Sequence, residues 1–169
     1  MVEREVSMVE LYLLRHADAG DALAWAGPDA ERPLSRRGWR QVGRLAGLLL
    51  AARFRPDLIV SSPLLRAAQT AQSLADALGM EIVVDDRLAG GIAAAEMEGL
   101  LRDLGDPQRP VLVGHEPDMS RLVAELCDGD VPVPKGTLVR IDAPRPLVAG
   151  GGTLRWLIPP DSLKVRRKP

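Results

Sequence analysis

The chain has 169 residues, 46% apolar and 27% charged, the composition of an ordinary globular domain large enough to bury a core without staples. Its net charge of -1 gives no overall attraction to nucleic acid or to a membrane surface. The single cysteine, Cys127, cannot close an internal disulfide. Met1 to Glu10 is interrupted by Glu3, Arg4 and Glu5 where a signal peptide would be apolar, and the longest apolar run, Leu45 to Ala52, is too short to span a bilayer, so a cytoplasmic location is the expectation.

Val9 to Arg15 (VELYLLR) has the residue types of a strand. Met8 stands directly before it, so residues 1–8 are expected to be a flexible extension, with Met8 an alternative start. Ala17 to Leu34 carries small residues, glycine and proline without a period, and reads as a loop. Ser35 suits the cap of a helix running to about Arg53, where Val42, Leu45, Ala46, Leu49 and Leu50 recur at helical spacing. Pro56 breaks the chain before a short apolar strand, Asp57 to Ser61. Pro63 opens a second helix to about Leu78, with Leu65, Ala68, Ala71, Ala75 and Leu78 inward and Gly79 as its stop. Glu81 to Asp85 reads as a strand, Ile92 to Leu104 as a helix and Pro110 to Gly114 as a buried strand. Pro117 fits the first turn of a fourth helix striped by Met119, Leu122, Val123 and Leu126. Thr137 to Asp142 and Thr153 to Ile158 are closing strands around the turn-rich Ala143 to Gly152.

This alternation predicts an α/β fold, a three-layer α/β/α sandwich with a mostly parallel central sheet and an antiparallel edge. Residues 9–160 are expected to form a single domain, followed by a basic tail over 161–169. No internal repeat or linker marks a second domain.

The chain has two histidines, His16 and His115, and each follows a buried strand directly. Ligands of open α/β sheets bind beyond the carboxyl ends of strands, so neighbouring strands would bring the two imidazoles together. Arg15 ends a strand whose preceding residues, Leu11 to Leu14, carry no charge, and it needs an anion, since a buried unpaired charge costs several kcal/mol. Arg66 falls in the first turn of the second helix, where the helix dipole disfavours a cation. A bound phosphate would reverse that preference, because free N–H groups and guanidinium attract it together; pairing with a surface acid is the simpler alternative. No His, Cys or Asp cluster has metal-ligand spacing, and the glycine run Gly150 to Gly152 lacks the Lys-Ser/Thr of a P-loop.

Four ordered segments over residues 9–127 resemble the histidine phosphatase superfamily, also called phosphoglycerate mutase-like. Leu14-Arg15-His16-Ala17 is similar to its Arg-His-Gly signature. Pro33-Leu34-Ser35 with Gly38 and Gln41 is similar to its next helix opening. Ser61 to Thr70 (SSPLLRAAQT) closely resembles its SSPxxRAxQT block, and Gly114-His115-Glu116-Pro117 its GHxP block. Short length, the continuation Arg15-His16-Ala17-Asp18-Ala19 and the VAELC segment ending at Cys127 resemble the SixA-like branch of protein phosphohistidine phosphatases. Ala17 departs from the usual glycine, so the backbone there must avoid positive φ. The polar phosphate ligand that mutases carry shortly after Arg-His-Gly has no clear counterpart.

The resemblance implies a metal- and cofactor-independent phosphatase. His16 would be the nucleophile, forming a phosphohistidine, with Arg15, Arg66 and His115 holding the phosphate. Asp18 and Glu96 are the candidate general acids. The implied substrate is a phosphorylated protein, a histidine-carrier domain above all. A small-molecule phosphomonoesterase and a phosphate-binding module without turnover are the alternatives. Trp25 either rims the pocket or packs the loop onto the sheet.

Overall fold

The computed structural model of the protein describes residues 6–164. At its centre lies β1 (Ser7–Arg15), in a six-stranded sheet of order β3-β2-β4-β1-β5-β6. β1 pairs in parallel with β4 (Pro110–Gly114), which pairs in parallel with β2 (Leu58–Ser61). On its other side β1 is antiparallel to β5 (Leu138–Arg145), which pairs antiparallel with β6 (Thr153–Ile158). The fold is the expected α/β sandwich, parallel on one side and antiparallel on the other.

Side chains of a strand alternate between the two faces of its sheet, and β1 divides its apolar residues accordingly. Val9, Leu11 and Leu13 pack with Leu112 against Met97, Leu100 and Leu101 of α3 (Ala94–Asp103) and Leu122, Val123 and Leu126 of α4 (Asp118–Cys127). Tyr12 and Leu14 pack with Val111 and Val113 against Leu45, Ala46 and Leu49 of α1 (Arg36–Ala51) and Ala71, Leu74 and Ala75 of α2 (Leu65–Leu78). Each fully buried Leu contributes about 1.5–3 kcal/mol by leaving water. Among the described residues no helix is long and apolar enough to cross a membrane.

Several boundaries differ from expectation for identifiable reasons. β1 begins at Ser7, because Ser7 and Met8 continue the ladder opposite Arg145 and Pro144. Residues 7 and 8 of the expected extension are therefore strand, and residues 1–5 of it lie outside the described residues. At the other end, Pro160–Leu163 form a 3-10 turn and Leu163 packs against the α1–α2 side of the core, whereas residues 165–169 of the expected tail lie outside the described residues. β3 is confined to Val83–Val84, an exposed edge pair on the four-residue β2. A short edge offers little template for another strand. α2 starts at Leu65, not Pro63: the Ser62 hydroxyl accepts the Leu64 N–H at 3.2 Å, a local turn that holds Leu64 extended.

Candidate active site

Three neighbouring strands, β2, β4 and β1, end side by side, and each is followed at once by a polar residue: Ser62, His115 and His16. The Ser62 N–H donates to the Val113 carbonyl and the His16 N–H to the Gly114 carbonyl, both at 3.0 Å. The two imidazoles meet with ring centroids 5.1 Å apart. All three side chains are buried.

His16 Nδ1 lies 2.7 Å from the Ala17 carbonyl oxygen. A carbonyl only accepts, so the ring proton sits on Nδ1 and Nε2 presents its lone pair. Burial pushes the His16 pKa down to about 3, with His115, Arg66 and Arg15 adding to the fall and the bond to Ala17 opposing it. The ring is thus neutral near pH 7. His115 Nε2 lies 2.7 Å from Ser62 Oγ. The Ser62 hydroxyl can donate to Nε2 while accepting the Leu64 N–H, and in that tautomer the His115 proton sits on Nδ1. Burial first, then Arg66 and Arg15, lowers the His115 pKa to about 4.

The two arginines are held from behind. Arg15 donates Nη1 to the Val133 carbonyl at 2.9 Å. Arg66 donates Nη1 to the Asp29 carbonyl at 2.9 Å and places Nη2 3.1 Å from the Asp29 carboxylate. Three buried nitrogens then remain with no hydrogen-bond partner among the described residues: Arg15 Nε, Arg66 Nε and His115 Nδ1. An unmade buried donor costs about 1–3 kcal/mol, more when charged. Fixed donors grouped around a neutral imidazole suit a tetrahedral oxyanion.

The loop carrying His16 is fixed by α1 and α2. The Ala17 N–H donates to Thr70 Oγ1 at 3.1 Å, and that hydroxyl donates to the Arg66 carbonyl at 2.7 Å. The Asp18 N–H donates to Gln41 Oε1 at 2.8 Å, and the Ser35 N–H donates to the Asp18 carbonyl at 2.9 Å. A Cβ on Gly38 would fall 2.1 Å from that carbonyl oxygen, so only glycine allows the approach. Ala17 keeps a negative φ, as its replacement of glycine requires.

Sequence reading brought His16, Arg15, Arg66 and His115 to one place, and the structure joins all four. It gives the two candidate acids other tasks. Asp18 Oδ2 accepts the Ser35 hydroxyl at 2.6 Å and the Gly20 N–H at 3.2 Å, and Oδ1 lies 3.3 Å from Lys135 Nζ. Burial alone would raise its pKa, but Ser35, Gly20 and Lys135 together hold it below the usual carboxylate range. A group so readily ionised is a poor proton donor at neutral pH, and Asp18 instead ties the His16 loop to α1. Glu96 is exposed and accepts the Ala93 N–H at 3.2 Å, capping α3. Trp25 stays within its own loop, its Nε1 donating to the Pro28 carbonyl at 3.0 Å.

Asp29 and Glu116 escaped sequence reading. Asp29 sits in an aperiodic loop with no motif to single it out. Glu116 was visible as the x of GHxP; its buried Oε1 makes no hydrogen bond among the described residues, and the side chain lines one hollow with Arg15 and Ser120.

The histidine phosphatase superfamily (branch 1) pattern matches residues 11–114, and the chain belongs to that superfamily. It is therefore a phosphatase, of a family that works without metal. Its relatives include the phosphohistidine phosphatase SixA of Escherichia coli (strain K12), 28% identical over 165 residues that cover 94% of this chain and 99% of that one. A solved structure of the protein histidine phosphatase SixA complexed with tungstate superposes with a TM-score of 0.80 at 25% identity, covering 92% of this chain and all of the other. An 8-oxo-(d)GTP phosphatase of Mycolicibacterium smegmatis (strain ATCC 700084 / mc(2)155) is 28% identical over 167 residues, 95% of this chain and 51% of the longer relative.

Proposed function

We propose that this phosphatase removes the phosphoryl group from phosphohistidine in a signalling protein. His16 Nε2 attacks phosphorus, the phosphorus–nitrogen bond of the substrate breaks, and the departing imidazole takes up a proton. Water then attacks the phosphohistidine on His16 and releases inorganic phosphate. Arg15, Arg66 and His115 hold the nonbridging oxygens through the charge redistribution of each step. The observation that carries this reading is the trio of unbonded buried nitrogens, Arg15 Nε, Arg66 Nε and His115 Nδ1, around an imidazole whose Nε2 is free. Tungstate, the oxyanion held by the SixA structure, is a tetrahedral stand-in for such a phosphate.

The lack of a strong acid favours this substrate class. An imidazole leaving group, with a pKa near ~6.5, needs far less protonation than an alkoxide. With Asp18 and Glu96 engaged elsewhere, water is the proton source that remains for the departing imidazole.

The deciding experiment offers a phosphorylated histidine-carrier domain and a sugar phosphate side by side, to wild type and to His16→Ala. Wild type should turn over the carrier faster and trap an acid-labile label on His16. Faster turnover of the sugar phosphate would establish the small-molecule phosphomonoesterase instead, and a bound phosphate that is never cleaved would establish a binding module.

A further inference from the structure

The polar face of α1 is unusual. The helix carries Arg36, Arg37, Arg40 and Arg44 and no acidic residue. Arg36 and Arg37 occupy the first turn, where the helix dipole disfavours cations, and Arg37, Arg40 and Arg44 stand on one side at spacings that bring like charges together. Each such arrangement costs a few tenths of a kcal/mol in an isolated helix. A solvated helix face normally mixes both signs, and this one does not.

The arginine ridge runs up to Arg15 at the rim of the active site. A hollow of about 340 Å³ is lined by Arg15, Lys135 and Arg37, with Asp18 and Asp161. It shares Arg37, Gln41 and Asp161 with a smaller one of about 150 Å³, lined also by Arg40, Arg44 and Lys164. Together they form a trough with six cationic side chains against two carboxylates. Both carboxylates are already paired: Asp18 with Lys135 at 3.3 Å and Asp161 with Lys164 at 2.6 Å. Arg37, Arg40 and Arg44 make no ion pair among the described residues. From Arg37 to Arg44 the ridge runs roughly 10 Å along the helix. The chain as a whole has a net charge of -1, so this surplus is local.

We infer that this trough docks the acidic surface of the phosphoprotein substrate, next to the phosphohistidine that enters beside Arg15. The inference rests on the proposed function and names the partner's chemistry: a protein face rich in Asp and Glu around its phosphorylated histidine. An open ridge of exposed arginines matches a protein surface better than a small ligand, which a pocket would enclose. A sequence pI near 6.1 is unlike that of a nucleic-acid binder, whose field is basic throughout.

The test uses Arg37→Glu/Arg40→Glu and the milder Arg37→Ala/Arg40→Ala, all at exposed positions, with melting curves to confirm folding. Two probes are compared: an acidic phosphorylated histidine-carrier domain and free phosphoimidazole. The reversal should lower kcat/KM on the carrier tenfold or more, by about 10- to 1,000-fold at low salt, through KM and with the loss shrinking as salt rises. Phosphoimidazole turnover should stay at the wild-type rate. Wild-type rates on both probes would overturn the docking surface and leave the phosphatase reading intact. Equal losses on both probes would also overturn it, as a disturbance of the site itself. Binding of a labelled single-stranded oligonucleotide that the reversal abolishes, with carrier turnover unchanged, would reassign the trough to nucleic acid. Should wild type cleave neither phosphohistidine probe yet hydrolyse a sugar phosphate, the functional reading fails, and the docking inference falls with it.

Discussion

β1 passes through two polar clusters, one at each end, and they are built on opposite rules. At the amino end Glu10 receives the Tyr12 hydroxyl at 2.7 Å and Arg109 Nε at 3.0 Å. Arg140 bonds Asp142 at 2.8 Å and approaches Glu10 at 3.3 Å. Every charge there has its opposite. At the carboxyl end buried nitrogens of Arg15, Arg66 and His115 are left unbonded. The amino-end cluster lines a hollow of about 380 Å³, but among the described residues it leaves no buried donor unbonded to offer an anion. Hollows of similar volume lie at both ends of the strand; unsatisfied polarity, not volume, tells them apart.

The contrast can be broken most sharply at His16. His16→Ala should reduce phosphohistidine turnover by at least about a thousandfold and abolish the trapped phosphoenzyme. Wild-type label on that variant would place the nucleophile elsewhere. Next, Arg66→Ala should lower kcat about a hundred- to a thousandfold, the size of a lost oxyanion donor. Asp29→Ala, which leaves Arg66 charged but loose, should cost only about tenfold. If the two variants lose activity equally, Arg66 acts chiefly through its carboxylate partner.

The pH response sharpens the same comparison. His16 and His115, with pKa values near 3 and 4 in the fold against about 6.5 unfolded, bind fewer protons folded than unfolded between those limits. Stability is therefore greatest above about pH 6.5 and falls as the pH drops toward 4, where the unfolded chain takes up protons the fold refuses. Their ring resonances should not titrate between about pH 8 and 5; a midpoint near 6.5 for either would contradict the buried, neutral state. The smallest effect belongs to the amino end. Arg140→Ala should leave kcat and KM unchanged and lower unfolding stability by about 0.5–1 kcal/mol, as expected for a half-exposed ion pair. A loss of activity there would erase the distinction between the clusters.

Much of this was legible in the chain. The two histidines could be placed because each ends a buried strand, and strands β1 and β4 proved to be direct neighbours. Arg15 and Arg66 were legible from their misfit with their local surroundings. Asp29 was not, because it lies in an exposed loop without periodicity and reaches Arg66 from 37 residues away. Asp18 misled, since nearness in sequence to His16 says nothing about which way a carboxylate is held. The roles of Gln41 and Thr70 as anchors of the His16 backbone needed coordinates: both were visible in the motifs, but not the N–H groups they receive. Ser7 and Met8 were missed because a polar residue and a methionine carry weak strand signals, whereas their ladder partners in β5 are remote in sequence.

The close approach of Gly38 to the Asp18 carbonyl has a consequence for heat. The loop just past His16 is moored at Asp18 to the first two turns of α1, through Ser35, Gly38 and Gln41, and helix ends fray before a central sheet melts. Warming should loosen that side of the loop first, while Thr70 and the Gly114 carbonyl still hold Ala17 and His16, so activity should decline some degrees below the unfolding transition and recover on cooling.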